Sequence, residues 1–279
     1  MEIGIIGLGL IGGSLGLDLR SQSHKVIGVS RRAQTIERAL ERGVIDAGST
    51  EFGALSSADL VVVCTPISLI VPTVKCLRDV VPPGAIITDV GSVKGRVVEP
   101  CTTLYPHFVG GHPMAGTAEQ GIEAAQRDLF QGAVYAFTPV EETNPKDVEI
   151  LTGLARSLGS DVMTCAPDIH DQAVAWISHL PVFVSAGLIE ACGLDVDPIV
   201  LQLAQRLASS GFRDTSRVGG GNPELGMMMA QHNRTALLQS LRSYQQQIAQ
   251  FIAAIEAKDW VQLQTRLAQA QKLRPDFVD

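Results

Sequence analysis

Gly7-Leu8-Gly9-Leu10-Ile11-Gly12 spaces three glycines as G-x-G-x-x-G directly after an apolar run that begins at Ile3, and it opens a helical pattern. Strand, glycines and then helix is the order in which a backbone can hold a pyrophosphate. The first glycine permits a tight turn, the second leaves room for the phosphates, and the third lets the helix lie close on its strand. Backbone N–H groups at the helix N-terminus then face the phosphate oxygens. The spacing predicts a dinucleotide site built from Gly7, Leu8, Gly9, Leu10, Ile11 and Gly12. Thr65 and Pro66, just past the apolar run 60–64, are expected to line the same site.

The end of the second strand selects between cofactors. Chains that use NAD place Asp or Glu there, about 20 residues beyond the glycines, to bind the ribose 2′-hydroxyl. Here that position is Ser30, followed by Arg31 and Arg32. A carboxylate would repel a 2′-phosphate, whereas a hydroxyl and a guanidinium fork hold one by charge-assisted hydrogen bonds. NADP is therefore the expected cofactor, with Ser30, Arg31 and Arg32 at its phosphate.

Apolar runs at Ile3–Gly7, Val26–Ser30, Leu60–Cys64, Ala85–Val90, Phe108–Gly111, Ala133–Thr138 and Asp161–Cys165 read as strands. Several are continuous Val/Ile stretches, the composition of parallel strands buried on both faces. Helical patterns at Ala33–Arg42, Ser68–Val80 and Pro145–Leu158 alternate with them, which argues for a doubly wound α/β sheet. Past Ala166-Pro167 no strand-like run remains. The expected layout is an N-terminal Rossmann-type parallel sheet over residues 1–165 and an all-α C-terminal domain over 166–279, for substrate and dimerisation.

Within that second part, Asn222-Pro223 reads as an N-cap followed by the first helical residue, opening a helix expected to reach Ala257. Leu237, Leu241, Tyr244, Ile248, Phe251 and Ile255 recur in it at spacings of 4, 3, 4, 3 and 4. That is a heptad seam, fit for a core helix or for an interface between copies. A homodimer through the C-terminal helices is the favoured expectation.

Composition narrows the function class. A net charge of −7 lacks the basic footprint of a nucleic-acid binder. The five cysteines, Cys64, Cys76, Cys101, Cys165 and Cys192, form no CxxC pair, so neither a disulfide framework nor a thiolate metal site is indicated. The apolar N-terminus carries Glu2 where a signal peptide would be basic, and Pro66 and Pro72 interrupt the uncharged run 60–74. The expectation is a cytoplasmic protein with a small-molecule substrate, no nucleic acid, no membrane and no metal.

Three further segments concentrate polar residues at strand or helix ends, the first of them past the carboxyl end of a strand, where ligands of doubly wound folds sit. Asp89-Val90-Gly91-Ser92-Val93-Lys94 follows a buried strand, and Gly110-Gly111-His112-Pro113-Met114-Ala115-Gly116-Thr117 sets a histidine between glycines and a proline. Ser178-His179-Leu180-Pro181 interrupts an apolar helix, where a hydrogen-bonded core histidine is the competing explanation.

Taken in order, GLGLIGGS, DVGSVK, GGHPMAGT, HDQAVAWISHLP and FRDTSR followed by NP resemble the prephenate/arogenate dehydrogenase family, over residues 3 to about 235. The Ser–Arg cofactor end and the compact length most resemble its NADP-dependent, arogenate-using branch. The resemblance implies oxidative decarboxylation of a cyclohexadienyl ring: hydride leaves C4, the C4 hydroxyl loses its proton, and CO2 departs from C1. Negative charge developing on that oxygen needs a base, and an imidazole titrates close to neutral pH. The family's catalytic histidine falls on His112 and the serine of its DxGSVK motif on Ser92, which would orient the same oxygen.

The resemblance also places a substrate-binding arginine on Arg217, whose planar fork matches a carboxylate. Arg213, His179 and Thr117 are added as substrate contacts, while Lys94 and Asp89 support loop geometry. Val182 and Gly226 stand where many relatives carry histidine and tryptophan, which bears on the pocket around the substrate side chain. Arogenate bears an ammonium where prephenate bears a keto oxygen, and Glu119 and Asp214 are the candidate partners for it. The competing classes are weaker. Other two-domain reductases use a lysine in the second domain, where only Lys258 and Lys272 occur after Asp168. A non-catalytic NADP sensor leaves the His112, Ser92 and Arg217 segments without a use.

Overall fold

A computed structural model describes residues 1–117, 119–194 and 197–278. The chain resolves into two compact units, Met1–Arg234 and Thr235–Asp279. The first opens with β1 (Glu2–Ile6), α1 (Leu10–Ser21), β2 (Lys25–Val29), α2 (Ala33–Glu41), β3 (Ala47–Ser49) and β4 (Leu60–Val63). It continues with α3 (Ile67–Leu77), β5 (Ile86–Asp89), α4 (Val98–Leu104), β6 (Phe108–Pro113), β7 (Val134–Thr138), α5 (Pro145–Ser157) and β8 (Asp161–Thr164). These strands form one eight-stranded sheet in the order β3-β2-β1-β4-β5-β6-β7-β8.

Alternate residues of each strand supply opposite cores, as a two-residue period requires. Ile3, Ile5, Leu60 and Val62 pack on one face with Leu15, Leu19 and Leu151 of α1 and α5. Ile6, Val61 and Val63 pack on the other with Ile70, Val74 and Cys101 of α3 and α4. Burial on both faces is why the central strands read as unbroken Val/Ile runs.

Two features depart from the sequence expectation. β6 pairs with β7 antiparallel, although β7 and β8 are again parallel to each other. Among the described residues, the connection between β6 and β7 holds a single 3-10 turn, Ile122–Ala124. Without a crossover helix the chain re-enters the sheet from the edge it left. β7 and β8 flank α5, which restores parallel pairing. β3 was not expected; Ala47-Gly48-Ser49 has no apolar run to mark it, and it forms because its backbone pairs with β2.

Helices follow the sheet: α6 (Pro167–Val174), a π-helical turn (Ala175–His179), α7 (Leu180–Leu194), α8 (Pro198–Leu207), α9 (Ser210–Ser216) and α10 (Pro223–His232). Asn222 caps α10 as expected, its side chain accepting from Glu224 N at 3.0 Å. The single helix expected from Pro223 to Ala257 is instead two. It breaks at Asn233 (φ −117°, ψ 37°), and α11 (Arg234–Glu256) starts afresh. The break is explained by what Asn233 does with its side chain, described below. The stretch Pro167–Leu194 is long and apolar enough to cross a membrane by length and composition, with a mean hydropathy of 1.5.

The second unit comprises most of α11 and α12 (Trp260–Leu273). Asp259 caps α12 by accepting from Gln262 N at 2.9 Å. Arg266 joins the two helices by stacking 4.9 Å over Phe251 and donating to Gln247 at 2.7 Å. Of the expected heptad seam Leu237 is buried, while Tyr244, Ile248 and Ile255 are exposed.

Candidate active site

The three glycines meet three separate physical demands. Gly7 turns the chain at φ +94°, a conformation that side chains rarely adopt. A Cβ on Gly12 would stand 2.0 Å from the Gly7 carbonyl oxygen, so only glycine lets α1 sit this close to β1. A Cβ on Gly9 would meet nothing within 4 Å, so this backbone borders open space. No side chain caps α1, which leaves its first N–H groups, those of Leu10, Ile11 and Gly12 among them, facing outward for an anion.

A cleft of about 470 Å³ lies against these glycines, lined by Gly7, Leu8, Gly9, Ser30, Arg31, Arg32, Thr65 and Pro66. Thr35 and Thr50 line it as well, two hydroxyls that sequence reasoning missed because neither lies in a motif. The Thr65 hydroxyl is buried without a hydrogen-bond partner among the described residues. Arg31 and Arg32 are exposed, and neither has an acidic partner there. The cleft therefore offers anion-binding N–H groups, free guanidinium groups and an orphaned hydroxyl. That inventory suits a phosphate-bearing dinucleotide.

Further along the carboxyl edge of the parallel strands lies a buried polar centre. Asp89, at the end of β5, accepts from Gly91 N at 2.8 Å and from Gly111 N at 3.2 Å. Lys94 Nζ donates to Asp89 Oδ2 and, at 2.7 Å, to the Gly111 carbonyl. Both side chains are fully buried. They stitch the loop carrying Ser92 to the strand carrying His112. Burial pulls the Lys94 ammonium below its ordinary value, and the Asp89 charge opposes that shift.

His112 sits inside β6, 9% exposed, not in a loop after it. Its Nδ1 lies 2.9 Å from Nε2 of His170, with the two rings edge to face. His170 Nδ1 in turn lies 2.9 Å from Asp171 Oδ1. Asp171 also accepts from Lys94 N at 2.7 Å and from Gly95 N at 2.8 Å, so α6 is pinned to the Ser92 loop. Burial first, then the nearby Lys94 ammonium and the neighbouring His170 and His179 rings, hold the His112 imidazole well below its ordinary pKa. At neutral pH it is an uncharged ring.

His179, the last residue of the π turn, is fully buried. Its Nδ1 lies 3.2 Å from Asn233 Nδ2, which also donates to the Asp171 carbonyl at 2.7 Å. Asn233 thus leaves the helix in order to link two turns of the α6 segment. The other His179 nitrogen, Nε2, is buried without a partner among the described residues, and burial lowers the ring to about 4.

The structure therefore gathers His112, the Ser92 loop, Lys94, Asp89 and His179. It adds His170, Asp171 and Asn233, which sequence reasoning did not assign, although His170 and Asp171 open the HDQAVAWISHLP segment. It does not bring the remaining candidates into that hydrogen-bonded cluster. Arg217 is exposed at the C-terminal end of α9, and Arg213 stands 3.8 Å from Asp214, both exposed. The α9 segment is fastened to α7, where Ser185 donates to the Thr215 carbonyl and accepts from Gly219 N, each at 2.8 Å. Thr117 and Glu119 are exposed and bonded to each other at 3.2 Å through the Thr117 hydroxyl.

Family models match nearly the whole chain: "Prephenate dehydrogenase, nucleotide-binding domain" over residues 15–164 and "Prephenate dehydrogenase, dimerization domain" over 166–269. Among solved structures, arogenate dehydrogenase from Synechocystis is 51% identical over all of both chains, with a TM-score of 0.89. Prephenate dehydrogenase from A. aeolicus, in complex with hydroxyphenyl propionate and NAD+, is 26% identical, with 99% of this chain and 98% of that one covered and a TM-score of 0.93. Prephenate dehydrogenase of Bacillus subtilis is 31% identical, spanning 91% of this chain and 70% of that protein.

Proposed function

The chain belongs to the prephenate dehydrogenase family, and we propose that it oxidatively decarboxylates L-arogenate to L-tyrosine and CO2, reducing NADP. The observation that carries the chemistry is an uncharged, buried His112 at the carboxyl edge of the sheet, beyond the glycine cleft. When bound, NADP supplies the acceptor for the hydride that leaves C4 of the ring. Everything else falls to the protein's own side chains.

His112 Nε2, which makes no hydrogen bond with the described residues, takes the proton of the C4 hydroxyl. As that proton leaves, charge on the oxygen drives the hydride out, and loss of CO2 from C1 makes the ring aromatic. A positioned base of this kind contributes on the order of 10²- to 10⁴-fold. Ser92, half-buried on the loop stitched to the His112 strand, hydrogen-bonds the same oxygen and orients it. Arg217, exposed and without an acidic partner among the described residues, binds a substrate carboxylate, with Arg213, His179 and Thr117 as further contacts.

Ser30, Arg31 and Arg32 hold the 2′-phosphate, because no carboxylate stands at that end of β2 to repel it. The preference for arogenate rests on 51% identity, end to end, with a protein named arogenate dehydrogenase. The second reading, prephenate giving 4-hydroxyphenylpyruvate, keeps every step above and changes only the substrate side chain. Relatives named prephenate dehydrogenase at 26% and 31% identity favour it.

In this reading the sheet over 1–165 binds cofactor and the helices over 166–279 serve substrate and dimerisation, a division supported by models described as nucleotide-binding over 15–164 and dimerization over 166–269. Ile199, Val200, Leu203 and Leu207 of α8 are all more than half exposed, as are Ile252 and Ile255 of α11. A second copy of the chain covers these apolar faces. The apolar stretch Pro167–Leu194 belongs to the same interface, not to a bilayer, since it carries His170, Asp171 and His179 in hydrogen bonds.

The test is reduced-nicotinamide formation by purified protein with arogenate or prephenate, each with NADP or NAD. Turnover mainly with arogenate and NADP is the expected outcome. Preference for prephenate would overturn the substrate, and cofactor binding without turnover in any pair would overturn the enzyme.

A further inference from the structure

Among the described residues, the hydrogen-bond partners of the Asp171 carboxylate are two backbone N–H groups and one ring nitrogen. Two backbone N–H groups, those of Lys94 and Gly95, reach its two side-chain oxygens, and the His170 ring meets Oδ1 at 2.9 Å. An ionised carboxylate only accepts hydrogen bonds, so the proton of a neutral His170 ring resides on Nδ1. Nε2 of His170 then carries a lone pair, and it faces Nδ1 of His112 at 2.9 Å. The hydrogen of that second contact must come from His112. A neutral His112 therefore bears its proton on Nδ1, and its Nε2 is left with a free lone pair.

From this geometry we infer that Asp171 and His170 are positioning residues for His112, fixing it in the one tautomer that can accept a proton at Nε2. The inference rests on His112 acting as the base in the reaction proposed above. It also says what becomes of the charge. When Nε2 takes a proton, the resulting imidazolium donates from Nδ1 to His170, whose far side is held by a buried anion. A hydrogen bond from a charged donor is about twice as strong as a neutral one, so the pair strengthens as the proton arrives. The second histidine lets the carboxylate act from α6 on a base held in β6, a span that one hydrogen bond could not bridge.

The other ionisable groups around His112 do not supply this. Lys94 places a cation near the ring, and its own charge is bonded to Asp89. His179 faces it from the π turn and bonds Asn233, and Tyr135 lies on β7 one register position away. None of these offers an acceptor to Nδ1. Among the described residues, only the His170–Asp171 pair both accepts from His112 and ends on a carboxylate.

The test combines turnover with the protonation site of His112, read from long-range proton–nitrogen correlations in protein carrying ¹⁵N-histidine. Wild type is expected to show His112 protonated on Nδ1. Asp171→Asn presents an amide that can donate to His170, which reverses both rings and moves the His112 proton to Nε2. The expected kcat falls on the order of 10²- to 10⁴-fold with KM little changed, since a base is lost and binding is not. His170→Gln keeps an acceptor for Nδ1 without the carboxylate behind it. It should retain the wild-type tautomer with kcat lowered about tenfold, whereas His170→Phe, with no acceptor, should lose about 100-fold.

Asp171→Asn with an unchanged tautomer and an unchanged kcat would overturn the inference. Should that variant fail to fold, equal kcat and equal His112 spectra for the Gln and Phe variants at position 170 would do so instead. The spectra need no turnover. Failure of the positioning role is therefore separable from failure of the proposed reaction, which the wild-type assay alone decides.

Discussion

The cofactor cleft and the histidine centre lie on the same sheet edge, yet they are built in opposite ways. The cleft draws on short contiguous segments, 7–12, 30–32 and 65–66, and works largely through backbone N–H groups and exposed guanidinium groups. The histidine centre draws single side chains from β5, β6, α6, the π turn and Asn233, buried and bonded to one another. One is an open surface that meets a ligand. The other is a low-dielectric network, in which a satisfied polar group is strong and an orphaned one is expensive. Substitutions in the two regions should therefore fail differently: the cleft by weaker binding, the centre by lost chemistry or lost stability.

The sharpest break between them comes at His112. His112→Asn keeps a small polar side chain in β6 and removes the proposed base. The expected loss in kcat is on the order of 10²- to 10⁴-fold, with cofactor affinity unchanged. Steady-state kinetics together with a direct cofactor titration check it. A large loss of cofactor affinity in this variant would mean that the two regions are one site energetically, and the contrast would fail.

Lys94 tests the same contrast through stability. Lys94→Met leaves the Asp89 carboxylate fully buried without its cation and deprives the Gly111 carbonyl of a donor. Breaking a buried pair from one side costs about 3–5 kcal/mol, whereas replacing both partners by apolar groups of similar volume is far milder. Urea unfolding should show the single variant strongly destabilised and Lys94→Met/Asp89→Leu relieved of only part of that loss, because the Gly91 and Gly111 N–H groups and the Gly111 carbonyl lose their partners. Equal midpoints for wild type and Lys94→Met would show that the pair does not hold the loop to β6.

What sequence could show follows the same division. The glycine cleft was legible because its demands are local: a turn, a close approach and an uncapped helix end all lie within six residues. The sheet was legible too, since strands buried on both faces leave unbroken apolar runs. Its β6–β7 reversal was not, because it goes with the want of a crossover helix among the described residues of the 114–133 connection. The centre was legible only in part. His112 stands out between glycines and a proline, but nothing local tells that His170 faces it from 58 residues away. By sequence Asn233 falls mid-helix, since helical periodicity continues on both sides of it. Its role appears only when Asp171 and His179 are both within reach of one amide.

The smallest expected effect, and the one that most sharpens the comparison, is at the mouth of the cleft. Arg31 and Arg32 are exposed and border the cleft beside Ser30. If they hold a 2′-phosphate, each supplies a charge-assisted hydrogen bond in partial contact with water, where salt screens it. Arg31→Ala and Arg32→Ala should each lower kcat/KM for NADP about tenfold, with kcat itself nearly unchanged, and leave kcat/KM for NAD almost unaffected. Raising the ionic strength should shrink the wild-type preference for NADP toward that of the variants. Added salt should do nothing comparable to the His112 chemistry, whose charges are buried beyond the reach of screening. Equal losses with NADP and NAD would place the arginines away from the phosphate, and Ser30, with Thr35 or Thr50 beside it, would become the next positions to substitute.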